Sequence, residues 1–276
     1  MLICFTSDLH GSTTLYTQLH ELLHRARPDL LILGGDLLAD GRGDDPVASQ
    51  LEQVRGVFLP RLAAWRAEFA GLRIACLNGN HDWGVTADVL AASEAVTRLS
   101  LDTPLEAGGV RFLGYHCTPW TPYTVKDFER RDLPDDPLPE YGGETWDAAT
   151  GRVRTVTAAE HFGRHPSIAE ELAAAPAVVD PWIFVCHAPP HDTALDRLPQ
   201  VPHPIGSRAV RRFIEQRQPL VSLHGHVHES AALSGGCSDR LGRTLCINPG
   251  QSPAALQAVC FDTDRPAETL RHTVLG

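Results

Sequence analysis

The chain carries 24 Lys and Arg against 34 Asp and Glu over 276 residues, a formal net charge of −10. That surplus of acid argues against long nucleic acid as a partner, because such binding is mostly phosphate neutralisation by clustered cations. No apolar stretch approaches the roughly 20 residues that span a bilayer, and the opening MLICFTSDLH lacks the basic flank and long apolar region of a signal peptide. The expectation is a cytoplasmic protein without a membrane partner, of a length that suits one α/β domain over 1–276. A small anionic substrate stays open, since a local cation overrules the global field.

In chain order, the run LICFT at 2–6 predicts a buried strand, and Asp8 and His10 follow it. A helix is predicted over 13–27. Ser and Thr stand at its start, Leu15, Leu19, Leu22 and Ala26 form one stripe, and Pro28 stops it. A strand over 30–34, LLILG, leads to Asp36. A helix is predicted over 47–70, then a strand over 73–77, RIACL, leading to Asn80 and His81. A helix over 86–100 precedes a strand over 110–115, VRFLGY. The segment 117–147 is rich in Pro, Asp and aromatics and shows no period, so it reads as a surface insertion and a candidate cap.

A helix is predicted over 157–175 and a strand over 182–186, WIFVC, leading to His187. Another helix over 207–217 precedes the apolar run at 220–223, and His226 and His228 follow that run in VSLHGHVHE. The last strands, 243–247 and 256–261, lack intervening helices and are expected to be antiparallel, which makes the sheets mixed. Seven cysteines include no CxxC pair, and five of them (Cys4, Cys76, Cys186, Cys246 and Cys260) lie in apolar runs. Reduced, buried thiols are therefore expected.

Oxygen and imidazole side chains thus recur just past the carboxyl ends of five strands, where open α/β sheets place ligand sites. Taken singly, each has a plain alternative. Asp8 could cap the next helix, GGD could be a turn, and HGHVH could be a solvated loop. Five agreeing strand ends are not explained that way. Imidazole with carboxylate suits Zn, Mn or Fe more than Mg or Ca. There are too many ligands for one tetrahedral ion, and a two-metal site about 3.5–4 Å across uses them all. Two divalent ions against two aspartates leave a local positive charge that attracts phosphate.

DLHG at 8–11, GGD at 34–36, GNHD at 79–82, CH at 186–187 and GHVH at 225–228 occur in order. As a set they resemble the motif series of the calcineurin-like metallophosphoesterase superfamily. The resemblance implies a four-layer sandwich of two mixed β-sheets flanked by helices, with the metals at strand ends. It also implies that Asp8, His10 and His228 hold one metal, that Asn80, His187 and His226 hold a second, and that Asp36 bridges them. His81 would stabilise the transition state or protonate the leaving oxygen, and Asp82 would orient it. The implied reaction is in-line attack by a metal-bridging hydroxide on a small phosphoester, through two Mn, Fe or Zn ions. The wording around GYHCTPWTP and GRTLCINPG is also similar to small cyclic-nucleotide-type phosphodiesterases. A phosphomonoesterase or protein phosphatase on the same centre, or a non-catalytic scaffold, is the alternative.

Other residues are read more plainly. His224 lies two before His226 and is expected to support the site rather than ligate. His191 reads as a surface histidine, His116 as a satisfied core histidine, and Asn248 as a turn residue. HELLH at 20–24 fits the zinc-protease helix signature but has no third ligand nearby in sequence, so His20 and His24 are assigned to a polar flank. The Arg-Gly-Asp within GRGDD at 41–45 reads as a loop.

Overall fold

Alternation decides which way each strand faces, because successive side chains leave opposite sides of a sheet. In 2–6, Ile3 and Phe5 enter one core and Cys4 enters another. Both faces are covered, so the run is continuously apolar rather than alternating. The computed structural model describes residues 1–41 and 45–275. Arg42, Gly43 and Asp44, the Arg-Gly-Asp tripeptide, lie outside the described residues.

The first third of the chain forms β1 (Leu2–Thr6), α1 (Thr13–Ala26), β2 (Leu30–Leu33), α2 (Pro46–Gln53), a π-helical turn (Val54–Phe58), α3 (Leu59–Glu68), β3 (Arg73–Cys76), α4 (Val85–Ala91) and β4 (Thr97–Arg98). The middle forms β5 (Leu105–Ala107), β6 (Val110–Tyr115), β7 (Thr118–Pro119), β8 (Glu129–Arg130), β9 (Gly143–Asp147), β10 (Arg152–Val156), α5 (Ala158–Phe162) and α6 (Ile168–Ala173). The rest forms β11 (Trp182–Cys186), α7 (Arg208–Arg217), β12 (Val221–Leu223), α8 (Ser230–Ser234), β13 (Ser238–Leu241), β14 (Thr244–Ile247), β15 (Val259–Asp262), α9 (Pro266–Thr269) and β16 (Arg271–His272).

Two six-stranded sheets carry the fold, in the orders β16-β15-β1-β2-β3-β4 and β13-β14-β12-β11-β6-β5. In the first, β1 to β4 are parallel and β15 is antiparallel to β1. In the second, β6, β11, β12 and β14 are parallel, with β5 and β13 antiparallel at the edges. The antiparallel reading of the late strands therefore holds for β15 but not for β14, which the β13 hairpin turns back parallel to β12. Ile3, Phe5, Leu30 and Ile32 meet Phe112, Ile183, Val185 and Ile247 between the sheets. Helices α1 and α3 cover the outer face of the first sheet through Leu19, Leu23, Leu62 and Trp65. Helices α6 and α7 cover the second through Leu172, Val210, Phe213 and Ile214. The layers are helix, sheet, sheet, helix.

Three predicted helices are broken or shortened, two of them for a local reason. Over 47–70, Pro60 has no N–H to give. The chain passes through the π turn just before it, where the Leu59 amide donates to Val54. Over 157–175, one helix ends at Phe162 with Gly163 as its cap, Pro166 follows in the link, and two capping boxes, Thr157 with Glu160 and Ser167 with Glu170, start two short helices. Over 86–100, the helix stops at Ala91 and the chain becomes β4.

The expectation of seven reduced thiols is corrected. Cys4 and Cys260 are direct partners across the β1–β15 ladder, with Cα atoms 4.2 Å apart, and form a disulfide. Such close antiparallel pairs bring side chains together without backbone movement. The other five cysteines are free and buried. Thiol titration of the denatured, unreduced protein should thus give five reactive groups, against seven after reduction; seven before reduction would refute the pairing.

Candidate metal centre

Five parallel strands deliver the predicted ligands. Asp8 and His10 follow β1, Asp36 follows β2, Asn80 follows β3, His187 follows β11, and His226 and His228 follow β12. Backbone bonds stitch the loops together: Asp8 N–H to Gly35, His10 N–H to Asp36, and, across the second sheet, Gly225 N–H to His187. Asp8, His10, Asp36 and His226 all have left-handed backbone, with φ of 59°, 43°, 50° and 67°. Such geometry in non-glycine residues is strained and concentrates at functional sites.

The ligand atoms fall into two groups. Those of Asp8, His10 and His228 lie within 4.8 Å of one another, and so do those of Asp36, His187 and His226. Asp36 stands between the groups, its Oδ2 3.9 Å from His10 Nε2 and 3.4 Å from His187 Nε2. Asp8 Oδ1 is 3.4 Å from His228 Nε2 and 3.9 Å from His187 Nε2. His187 Nδ1 donates to the Gly34 carbonyl at 2.8 Å, which turns Nε2 toward the carboxylates. Gly79 lets the chain pass the centre. A Cβ there would collide with the Asp36 carboxylate and lie 2.7 Å from His187 Nε2.

Two buried atoms of the predicted ligands, Asn80 Oδ1 and His187 Nε2, have no hydrogen-bond partner. Buried polar atoms are rarely left so. His187 Nε2 lies 3.4 Å from Asp36 Oδ2 and 3.9 Å from Asp8 Oδ1, among carboxylates and imidazoles, the donor set that divalent transition metals take. The residues present fit a pair of such ions.

A family model described as calcineurin-like phosphoesterase matches residues 1–230. The chain belongs to that family. It is a metal-dependent phosphoester hydrolase by family. A solved chain superposes with a TM-score of 0.61 at 16% identity, covering 100% of this chain and 99% of that one. TT1561 of Thermus thermophilus gives 0.54 at 17% identity, covering 100% and 99%. These likenesses bear on the fold. An archaeal phosphodiesterase gives 0.44 at 12% identity, covering 99% and 98%. The comparison with curated proteins finds no match.

Within this phosphoesterase the electrostatics oppose one another. Burial pushes the Asp8 carboxyl up, but His228 and His187 outweigh it and leave the pKa at about 2. Burial likewise disfavours charge on Asp36, and the neighbouring imidazoles hold it well below the carboxylate range. Burial lowers His226 to about 3, keeping its ring neutral as ligation requires.

His81 lies at the cavity edge, and Asp36 Oδ1 accepts its N–H at 2.8 Å. Its ring Nδ1 is 3.0 Å from Asp40 Oδ1. Asp82 does not orient that ring. Its carboxylate accepts from Gly79 N–H at 2.9 Å and Leu38 N–H at 3.2 Å, so it braces the loop backbone. Burial and the Asp36 charge raise Asp82 to about 7. Sequence reading missed Asp40, whose signal was a second acid four residues past Asp36 in a strand-end loop.

Other expectations divide. His224 is fully buried, bonded to Ser222 and to the Cys186 and Ala188 carbonyls, as a supporting residue. Asn248 is more than a turn residue. Its Nδ2 donates to the Leu195, Gly225 and Val227 carbonyls and so holds the histidine loop. His116 is not satisfied, since its Nδ1 has no partner. His20 and His24 sit away from the centre, each 2.8 Å from Glu68.

Burial lowers the His81 pKa, but the Asp40 hydrogen bond and the Asp36 charge reverse this and raise it to about 9. If His81 gives up a proton in the reaction, activity falls as pH rises through that value. Asp40→Asn removes one raising influence, so the alkaline limb of the rate–pH profile should move down by about one unit. An unmoved limb would sever Asp40 from His81.

Proposed function

We propose that this chain hydrolyses a small phosphodiester or nucleotide at a binuclear centre held by Asp8, His10, Asp36, Asn80, His187, His226 and His228. The observation that carries this reading is the Asp36 carboxylate, placed between an imidazole of each ligand group. When bound, two Mn, Fe or Zn ions supply Lewis acidity toward the phosphoryl oxygens and a water-derived nucleophile at neutral pH.

The chain's own residues do the remaining work. Asp8 and Asp36 would hold the ions, and the imidazoles would complete the shells by giving up their protons when the metals bind. His81, turned by Asp40, presents its free Nε2 to the leaving oxygen and donates the proton. The cavity beside these groups encloses about 540 Å³. His10, Asp36, His81, His226 and His228 line one side, and Trp120, Tyr123 and Tyr141 line another. The Tyr123 ring lies 4.7 Å from that of His81. Flat aromatic walls around a phosphate-binding floor support a nucleotide-sized substrate with a planar group to stack. The segment 117–147 supplies those walls, which supports reading it as a cap within one domain over 1–276.

Asp36→Ala should abolish hydrolysis of bis(p-nitrophenyl) phosphate by the metal-reconstituted protein and lower its metal content. His81→Ala should lose roughly 100-fold or more in rate while keeping both ions. Full turnover by the first variant would refute the bridge, and lost metal in the second would make His81 a ligand. A panel of mono-, di- and cyclic phosphoesters reads out the substrate class.

A further inference from the structure

An amide ligand has a difficulty that a carboxylate lacks. Its two ends have the same shape, and only the oxygen binds a cation. Asn80 and Glu129 are both fully buried. Asn80 Nδ2 is 3.4 Å from Glu129 Oε1, while Asn80 Oδ1 has no partner. Glu129 comes from β8, in the segment that walls the cavity. Its carboxylate also receives Lys126 Nζ at 2.7 Å, Thr121 N–H at 2.9 Å and the Thr121 hydroxyl. Lys126 lies over the Trp120 ring, 4.4 Å from its centre. An ionised carboxylate can only accept, so whatever Asn80 turns toward it must be its NH₂.

We infer that Glu129 is a positioning residue. It locks the Asn80 amide with its oxygen toward the second metal, and through Thr121 it joins the cavity wall to the ligand shell. The inference rests on the reading of Asn80 as a ligand. The Glu129→Gln side chain offers one acceptor oxygen to donors from Asn80, Thr121 and Lys126, so the lock fails while the volume is kept.

The test compares Mn²⁺ binding by calorimetry in wild type, Glu129→Gln, and Glu129→Gln with Asn80→Asp. Glu129→Gln should weaken the second binding step by roughly tenfold or more and leave the first unchanged, which also reports an intact fold. Asn80→Asp should restore it in that background, because either oxygen of the new carboxylate ligates and the amide introduced by Glu129→Gln donates to the other. A second step as tight as wild type in Glu129→Gln, or no restoration, overturns the inference. Should Glu129→Gln not fold, Asn80→Asp alone decides. Two facing carboxylates should weaken the second step, and an unweakened step overturns the proposal. Asn80→Ala with both steps intact would instead overturn the ligand assignment itself.

A different observation carries a second site. His20 and His24 lie one turn apart on α1, and both reach Glu68 at the end of α3. His20 Nε2 is 2.8 Å from Oε2 and His24 Nε2 is 2.8 Å from Oε1. The three ligand atoms lie within 4.8 Å of one another. Phe69 packs edge-on against both rings, and Trp65 stacks on His20 with 5° between planes. Two imidazoles and a carboxylate are three ligands of the kind that zinc takes. We propose that a divalent cation of that type binds here and staples α1 to α3, apart from the hydrolytic centre. At micromolar free Zn²⁺ in equilibrium dialysis, His20→Gln with His24→Gln should retain one zinc ion fewer than wild type. Its phosphoesterase activity should be unchanged, and zinc should raise its melting temperature less. Equal zinc content in the two proteins would overturn the site.

Discussion

Two carboxylates, Asp8 and Asp36, are buried side by side, 2% and 1% exposed. Removing such charges from water costs several kcal/mol each even after relaxation, and their mutual repulsion adds to it. The surroundings are organised to meet this cost. Imidazoles from both sheets converge on the pair, and the His226 N–H reaches both oxygens of Asp8 at 3.1 Å. The proposed cations would complete the compensation. The strained backbone at four ligands is retained because parallel strand ends on two sheets over-determine where those loops go.

Support for the ligands reaches well beyond them. Asp82, read as a partner of His81, instead ties the 79–82 loop to Leu38. Asn248 does the same for the 225–228 loop from a different strand end. His81 takes its partner, Asp40, from the loop after β2, so its ring position and that of Asp36 depend on one short stretch of chain. The cavity wall is anchored in the same spirit, by a buried lysine–glutamate pair whose charges are 2.7 Å apart.

What the sequence made legible follows from how strong each local signal is. The strands over 2–6, 110–115 and 182–186 were plain because both faces are covered, and the ligands stood out because each follows such a run. The hairpin β9–β10 was not, since half-exposed strands such as Gly143–Asp147 bury little and show no apolar alternation. The breaks within 47–70 and 157–175 were written in Pro60, Pro166 and the Thr157 and Ser167 boxes, but apolar periodicity masks such punctuation. Glu129 and the Cys4–Cys260 pair were beyond reach, because each gains its meaning from a partner 49 or 256 residues away, whereas Asp40 left a signal in its position four residues past Asp36.

The proposed ligands come from residues 8 to 228 and from both sheets. A growing chain that has made only β1 to β4 presents Asp8, His10, Asp36 and Asn80 without His187, His226 or His228. Such a fragment holds acid with few imidazoles, a shell that suits magnesium or calcium better than zinc or iron. On the proposed ligand set, selectivity for the working ion would be a property of the finished tertiary structure.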